Sequence, residues 1–142
     1  MPQYPFIFVL PDGRILYAGS DEASTTTSAL DLATQTWTTI DSNVVAGGSA
    51  VMYWPGVVLK AGAPANTYGP SEPAVNTAYV LNMNQPSPAW RQVGSMAFPR
   101  AYHTLTVLPD GSVVVTSGIR TTGFTSGQAV LPAEVWDPTS ET

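Results

Sequence analysis

One four-residue turn occurs twice in this chain, and its recurrence limits the possible folds more than any other feature. Leu10-Pro11-Asp12-Gly13 and Leu108-Pro109-Asp110-Gly111 are identical. Each stands between two apolar runs: Phe8-Val9 and Ile15-Leu16-Tyr17 in the first copy, Leu105-Thr106-Val107 and Val113-Val114-Val115 in the second. Proline fixes φ early in a β-turn, aspartate tolerates the middle, and glycine accepts positive φ at the end. The unit therefore reads as a β-hairpin. A third version, Trp54-Pro55-Gly56, joins Ser49-Ala50-Val51-Met52-Tyr53 to Val57-Val58-Leu59-Lys60.

Each hairpin is followed by two more strand-like runs, so the cycle has four strands. The first cycle predicts strands over 5–10, 14–18, 28–32 and 36–40, the last anchored by Trp37. The second predicts 49–53, 57–62, 77–82 and 90–93, with a long loop over 63–75. The third predicts 103–108, 113–117 and 133–137, with a loop over 120–131. The turn glycines Gly13, Gly56 and Gly111 lie 43 and 55 residues apart. Four short strands in roughly 45–50 residues is the period of a kelch-type β-propeller blade. The predicted fold is all-β: four-stranded antiparallel blades, about three of them, at about 4–41, 47–94 and 99–142, the third cut short. Asp137-Pro138-Thr139-Ser140-Glu141-Thr142 matches the approach to Trp37 but stops before the tryptophan, so an excised or truncated piece is expected. Closed propellers take about 4–8 blades. Three blades leave apolar faces that need the remaining blades of a parent protein or another copy of the chain.

Composition narrows the function. Only 11% of the residues are charged and the net charge is -5, with one lysine and four arginines. A nucleic-acid partner needs clustered cations and is not expected. There is no cysteine, which excludes disulfides, thiolate metal sites and a cysteine nucleophile within this sequence. No apolar run reaches the ~20 residues of a membrane span, and no signal-peptide pattern is visible.

Few residues could carry chemistry. His103 is the only histidine, so a metal site built of several imidazoles is not available. Tyr102 and His103 could together offer two ligands to Cu(II) if both precede the strand; within a strand they point to opposite faces. The plainer reading packs His103 inside the propeller and Tyr102 in the core. Asp12 and Asp110 sit in equivalent turns, where capping accounts for them. Glu134 and Asp137 are expected at the solvent surface. Trp37, Trp90 and Trp136 recur at related places and read as packing anchors rather than a sugar platform. Trp54 occupies a turn, and its exposure stays open.

Three segments in order resemble the galactose oxidase and glyoxal oxidase family of copper-radical oxidases. They are Tyr4-Pro5-Phe6-Ile7-Phe8-Val9-Leu10-Pro11-Asp12-Gly13, then Gly48-Ser49-Ala50-Val51-Met52-Tyr53, then Met96-Ala97-Phe98-Pro99-Arg100-Ala101-Tyr102-His103-Thr104 through Gly111. The resemblance implies oxidation of a primary alcohol, aldehyde or carbohydrate by dioxygen, with release of hydrogen peroxide, in an extracellular or periplasmic parent. It also implies copper held by two tyrosines and two histidines, with one tyrosine cross-linked to cysteine. The family's copper pair lies in an Arg-x-Tyr-His-Ser motif whose histidine stands seven residues before the turn proline. His103 stands six before Pro109. By resemblance this spacing fits the preceding blade, which lines the site without ligating copper. The resemblance thus implies no catalytic or metal-ligating residue in this chain, and makes Tyr102, His103 and Tyr68 candidates for the substrate pocket. Gly69 stands where a compared family member has glutamine, so substrate preference does not carry over. As a separate polypeptide the chain is expected to be inactive. The alternative is a non-catalytic kelch-type module that binds glycans or proteins through its long loops.

Overall fold

A computed structural model describes residues 4–20, 26–45, 47–64, 72–122 and 127–142. Its regular structure is all β. The first sheet contains β1 (Pro5–Val9), β2 (Ile15–Ser20), β3 (Thr27–Asp31) and β4 (Thr36–Asp41), in that order. The second contains β5 (Ser49–Trp54), β6 (Val57–Pro64), β7 (Ala74–Asn82) and β8 (Arg91–Val93). The third contains β9 (Thr104–Val107), β10 (Val113–Thr116) and β11 (Glu134–Trp136). Every pairing is antiparallel between strands adjacent in the chain.

The turns form as their residues dictate. Gly13 and Gly111 adopt φ of 86° and 87° and donate back to Leu10 O and Leu108 O, both at 2.9 Å. Asp12 Oδ1 accepts from Arg14 N, and Asp110 Oδ1 accepts from Ser112 N, each at 3.0 Å. Side-chain hydrogen bonds from Arg14 Nε to Asp12 and from Ser112 Oγ to Asp110, and after them these backbone bonds, hold both carboxylates below their ordinary pKa.

The second sheet is the middle layer. Side chains alternate across a strand, and β6 is buried on both faces. Val57, Leu59 and Ala61, with Ala78 and Val80 of β7, pack on Leu105, Val113, Val115 and Trp136 of the third sheet. Val58 and Leu81, with Trp90, face Leu10, Leu16 and Ala18 of the first. Lys60 belongs by alternation to this second face and is buried, 2% exposed. Its Nζ donates to Ala18 O at 2.8 Å and Val45 O at 3.2 Å, and lies 5.1 Å from the Trp90 ring centroid. The lone lysine therefore joins the first sheet to the second.

Burial lowers the Lys60 pKa from 10.5 to about 8. Between those values the unfolded chain holds a proton that the folded chain has released. Folding stability is therefore expected to rise as pH increases from 8 towards 10.5. Lys60→Met should remove that slope in urea titrations. It should change stability at neutral pH by no more than about 1 kcal/mol, because relief of charge burial offsets two lost hydrogen bonds.

Three expectations are corrected. Trp37 does not anchor a core; it is 46% exposed on the outward face of the first sheet. It pairs there with Leu30, which pairs with Ile15, which pairs with Val9, an apolar row across all four strands. The loop expected over 63–75 is shorter, because β6 runs to Pro64 and β7 starts at Ala74. His103 lies before its strand, since β9 starts at Thr104.

Candidate functional site

The residues before β9 form the site. Ala101 exchanges two backbone hydrogen bonds with Ile119, both 2.9 Å, which fixes the chain as it enters the third sheet. Tyr102 then takes φ of 54°, in the left-handed region that non-glycine residues seldom occupy. The next residue, His103, is buried at 6% exposure; Tyr102 is half-buried.

His103 packs against backbone. Gly62, itself at φ +64°, lies so close that an added Cβ would stand 2.5 Å from His103 Cε1 and 2.4 Å from Arg100 O. An added Cβ at Gly118 would stand 3.0 Å from His103 Cβ. Glycine is required at these places because the Arg100–His103 segment packs directly on them and both adopt positive φ. Neither ring nitrogen has a hydrogen-bond partner among the described residues. Burial lowers the ring's pKa to about 4; the Arg100 cation adds to this and Glu134 opposes it. The imidazole is therefore neutral at neutral pH.

Beside it lies a buried ion pair absent from the sequence expectations. Arg100 is 0% exposed, and its Nη2 donates to Glu134 Oε1 at 2.7 Å and Pro132 O at 2.6 Å. Its Nε donates to Glu134 Oε1 at 3.1 Å and its Nη1 to Ser117 O at 2.8 Å. Glu134 also accepts from the backbone N–H groups of Ala97 and Phe98. The expectation that Glu134 is solvent-exposed is thus corrected: β11 carries it inward against the residues before β9. Asp137 is exposed and accepts from Thr139 N and Ser140 N in its own turn.

Tyr102 and His103 are consecutive before β9, and His103 lies against Gly48, just before β5, and Gly62, near the end of β6. Tyr68 lies outside the described residues. The donor chemistry does not fit a copper centre: the one imidazole is packed on glycine backbone, and the Arg100 cation disfavours positive charge beside it. No group of three His, Cys, Asp or Glu able to hold a metal ion occurs among the described residues. Trp90 and Trp136 are buried packing residues, Trp90 Nε1 donating to Thr27 Oγ1 at 2.7 Å. Trp54 is 65% exposed. No helix among the described residues is long and apolar enough to cross a membrane.

No family model matches the chain, and no curated protein matches it. Solved structures do. One is a fungal alcohol oxidase with catalytic diversity among the AA5 family, in complex with copper. The likeness has a TM-score of 0.61 at 15% identity and covers 98% of this chain. The chain spans 42% of that protein's length. At this identity the likeness establishes a shared fold.

Proposed function

We propose that the three sheets are consecutive kelch-type blades, at about 4–41, 47–94 and 99–142, of a galactose/glyoxal-oxidase-like copper-radical oxidase. The observation that carries this reading is the fold match to a copper-containing alcohol oxidase over 98% of the chain but 42% of that protein. The apolar row Val9, Ile15, Leu30 and Trp37 supports further blades, or another copy of the chain, against the first sheet. Val135, 60% exposed beside Val114 on the third sheet, supports the same at the other end.

In the parent protein a primary alcohol, aldehyde or carbohydrate is oxidised by dioxygen to give hydrogen peroxide. Copper belongs to that parent and is held by residues other than those described here. This chain supplies framework and part of the substrate mouth, with Tyr102 and His103, and by resemblance Tyr68, as its pocket candidates. The imidazole, neutral and enclosed, shapes the wall instead of transferring protons. The parent acts outside the cell or in the periplasm.

The test has two arms. The chain alone, loaded with Cu(II), is expected to show no stoichiometric copper by spin resonance and no peroxide with alcohols or aldehydes. Turnover by the chain alone would overturn the assignment. The longer polypeptide that contains it is expected to bind copper and release peroxide. A copper-free, inactive parent would instead support a non-catalytic module that binds glycans or proteins.

A further inference from the structure

A cavity lies at the opposite end of β9 from His103. The chain enters β9 beside the imidazole and leaves it at the turn Pro109-Asp110-Gly111, which forms one wall of a cleft of about 730 Å³ between the second and third sheets. This volume is within the ~300–1,000 Å³ usual for small-molecule sites.

The cleft's most prominent side chain is Trp54. A β-bulge shifts the register of β5 against β6 between Met52 and Trp54. Bulges re-aim side chains, and here the indole is left 65% exposed at the cleft's edge. The turn that carries it is fixed: Met83 N donates to Gly56 O at 2.8 Å, and Asn84 Nδ2 donates to Pro55 O at 3.0 Å. The exposed ring is therefore presented by ordered backbone. Tyr53, adjacent, is held edge-on to Trp136 with centroids 4.9 Å apart.

The remaining lining is apolar at Val57, Val80, Pro86, Ala89 and Pro138, and its polar groups nearly cancel in charge. Arg91 makes a two-bonded ion pair with Glu141, so the cleft's cation is already neutralised. Asp110 adds one negative charge, which disfavours phosphate or carboxylate ligands. Asn82 and Gln85 contribute amides that both donate and accept. An aromatic face beside mixed donors and acceptors suits a molecule with an apolar C–H face and hydroxyls around its edge.

We infer that this cleft binds a neutral carbohydrate, stacked on Trp54 and hydrogen-bonded by Asn82, Gln85 and the Arg91–Glu141 pair. The site shares no residue with Tyr102 and His103 and does not rest on the oxidase reading. It also differs from binding through the long loops, since it is built from hairpin turns and the connection before β8.

The experiment titrates the chain with neutral di- and trisaccharides of gluco, galacto, manno and xylo configuration, followed by calorimetry and tryptophan fluorescence. Inorganic phosphate and choline serve as anionic and cationic probes. Saturable binding of at least one sugar is expected, with a Kd of about 1 mM or tighter. Trp54→Ala should weaken it by about tenfold or more. Gln85→Ala, in an exposed connection, should weaken it with the circular dichroism spectrum unchanged. Trp37→Ala, on the outward face of the first sheet, should leave it unaltered. Absence of saturation by every sugar overturns the inference. So does affinity that survives both Trp54→Ala and Gln85→Ala, or tighter binding of phosphate or choline at Trp54.

Discussion

Arg100→Met is expected to lower folding stability by about 3–5 kcal/mol, read as a shifted midpoint in urea unfolding. The guanidinium is fully buried and reaches the Glu134 carboxylate and the carbonyls of Ser117 and Pro132. Its removal leaves a carboxylate in a largely dry setting without its counter-charge, and two carbonyls without a donor. Breaking one side of a buried pair costs more than the pair itself contributes. Adding Glu134→Leu to Arg100→Met should therefore recover part of the loss. Recovery should be incomplete, because Ser117 O and Pro132 O stay unpaired and Ala97 N loses its acceptor. A loss below about 1 kcal/mol for Arg100→Met would show that the pair is peripheral to stability.

The second large effect is expected from His103 in mild acid. Its folded pKa is about 4 against an ordinary 6.5. As pH falls from 6.5 to 4 the unfolded chain takes up a proton that the folded chain refuses, so stability drops across that interval. The loss is on the order of 3 kcal/mol. The charges facing the ring are Arg100, which strengthens the effect, and Glu134, which moderates it. His103→Leu should flatten the profile between pH 6.5 and 4. It should cost little at pH 7.5, because both ring nitrogens already lack partners among the described residues. Thermal melts of both proteins at pH 7.5 and 4.5 decide the matter. Parallel losses in the two would transfer the acid sensitivity to the carboxylates.

Local chemistry explains which parts of this molecule could be read from its sequence. The turns at Gly13, Gly56 and Gly111 depend on a few contiguous residues, so the hairpins were legible. The alternation of Val57, Leu59 and Ala61 against Val58 and Lys60 was visible as a mostly apolar run. The run could not reveal that Lys60 turns inward, because its partners Ala18 O and Val45 O come from the first sheet and the segment after it. Glu134 and Arg100 are 34 residues apart and meet only once β11 closes on β10. A signal existed: with charges so sparse, an acid on a short strand beside Val135 and Trp136 warranted a search for a cation. Trp37 was misjudged for a different reason. Its place in the repeat resembles that of buried tryptophans, but it stands 46% exposed, on a face that no other sheet among the described residues covers. At the candidate site the position of His103 before its strand was one of two readings the sequence left open; the left-handed backbone of Tyr102 settles how the chain gets there.

The enclosed amine of Lys60 makes the chain its own chemical stopwatch. Acylating reagents attack only the neutral amine, and a pKa near 8 keeps much of that form present at mildly alkaline pH. What withholds it is the cage of Ala18 O, Val45 O and the Trp90 ring. Since no other lysine competes, the rate of side-chain acylation reports how often the first two sheets part, without any label being engineered. The same measurement on Trp90→Phe would show how far the aromatic lid, as distinct from the two carbonyls, keeps that joint shut.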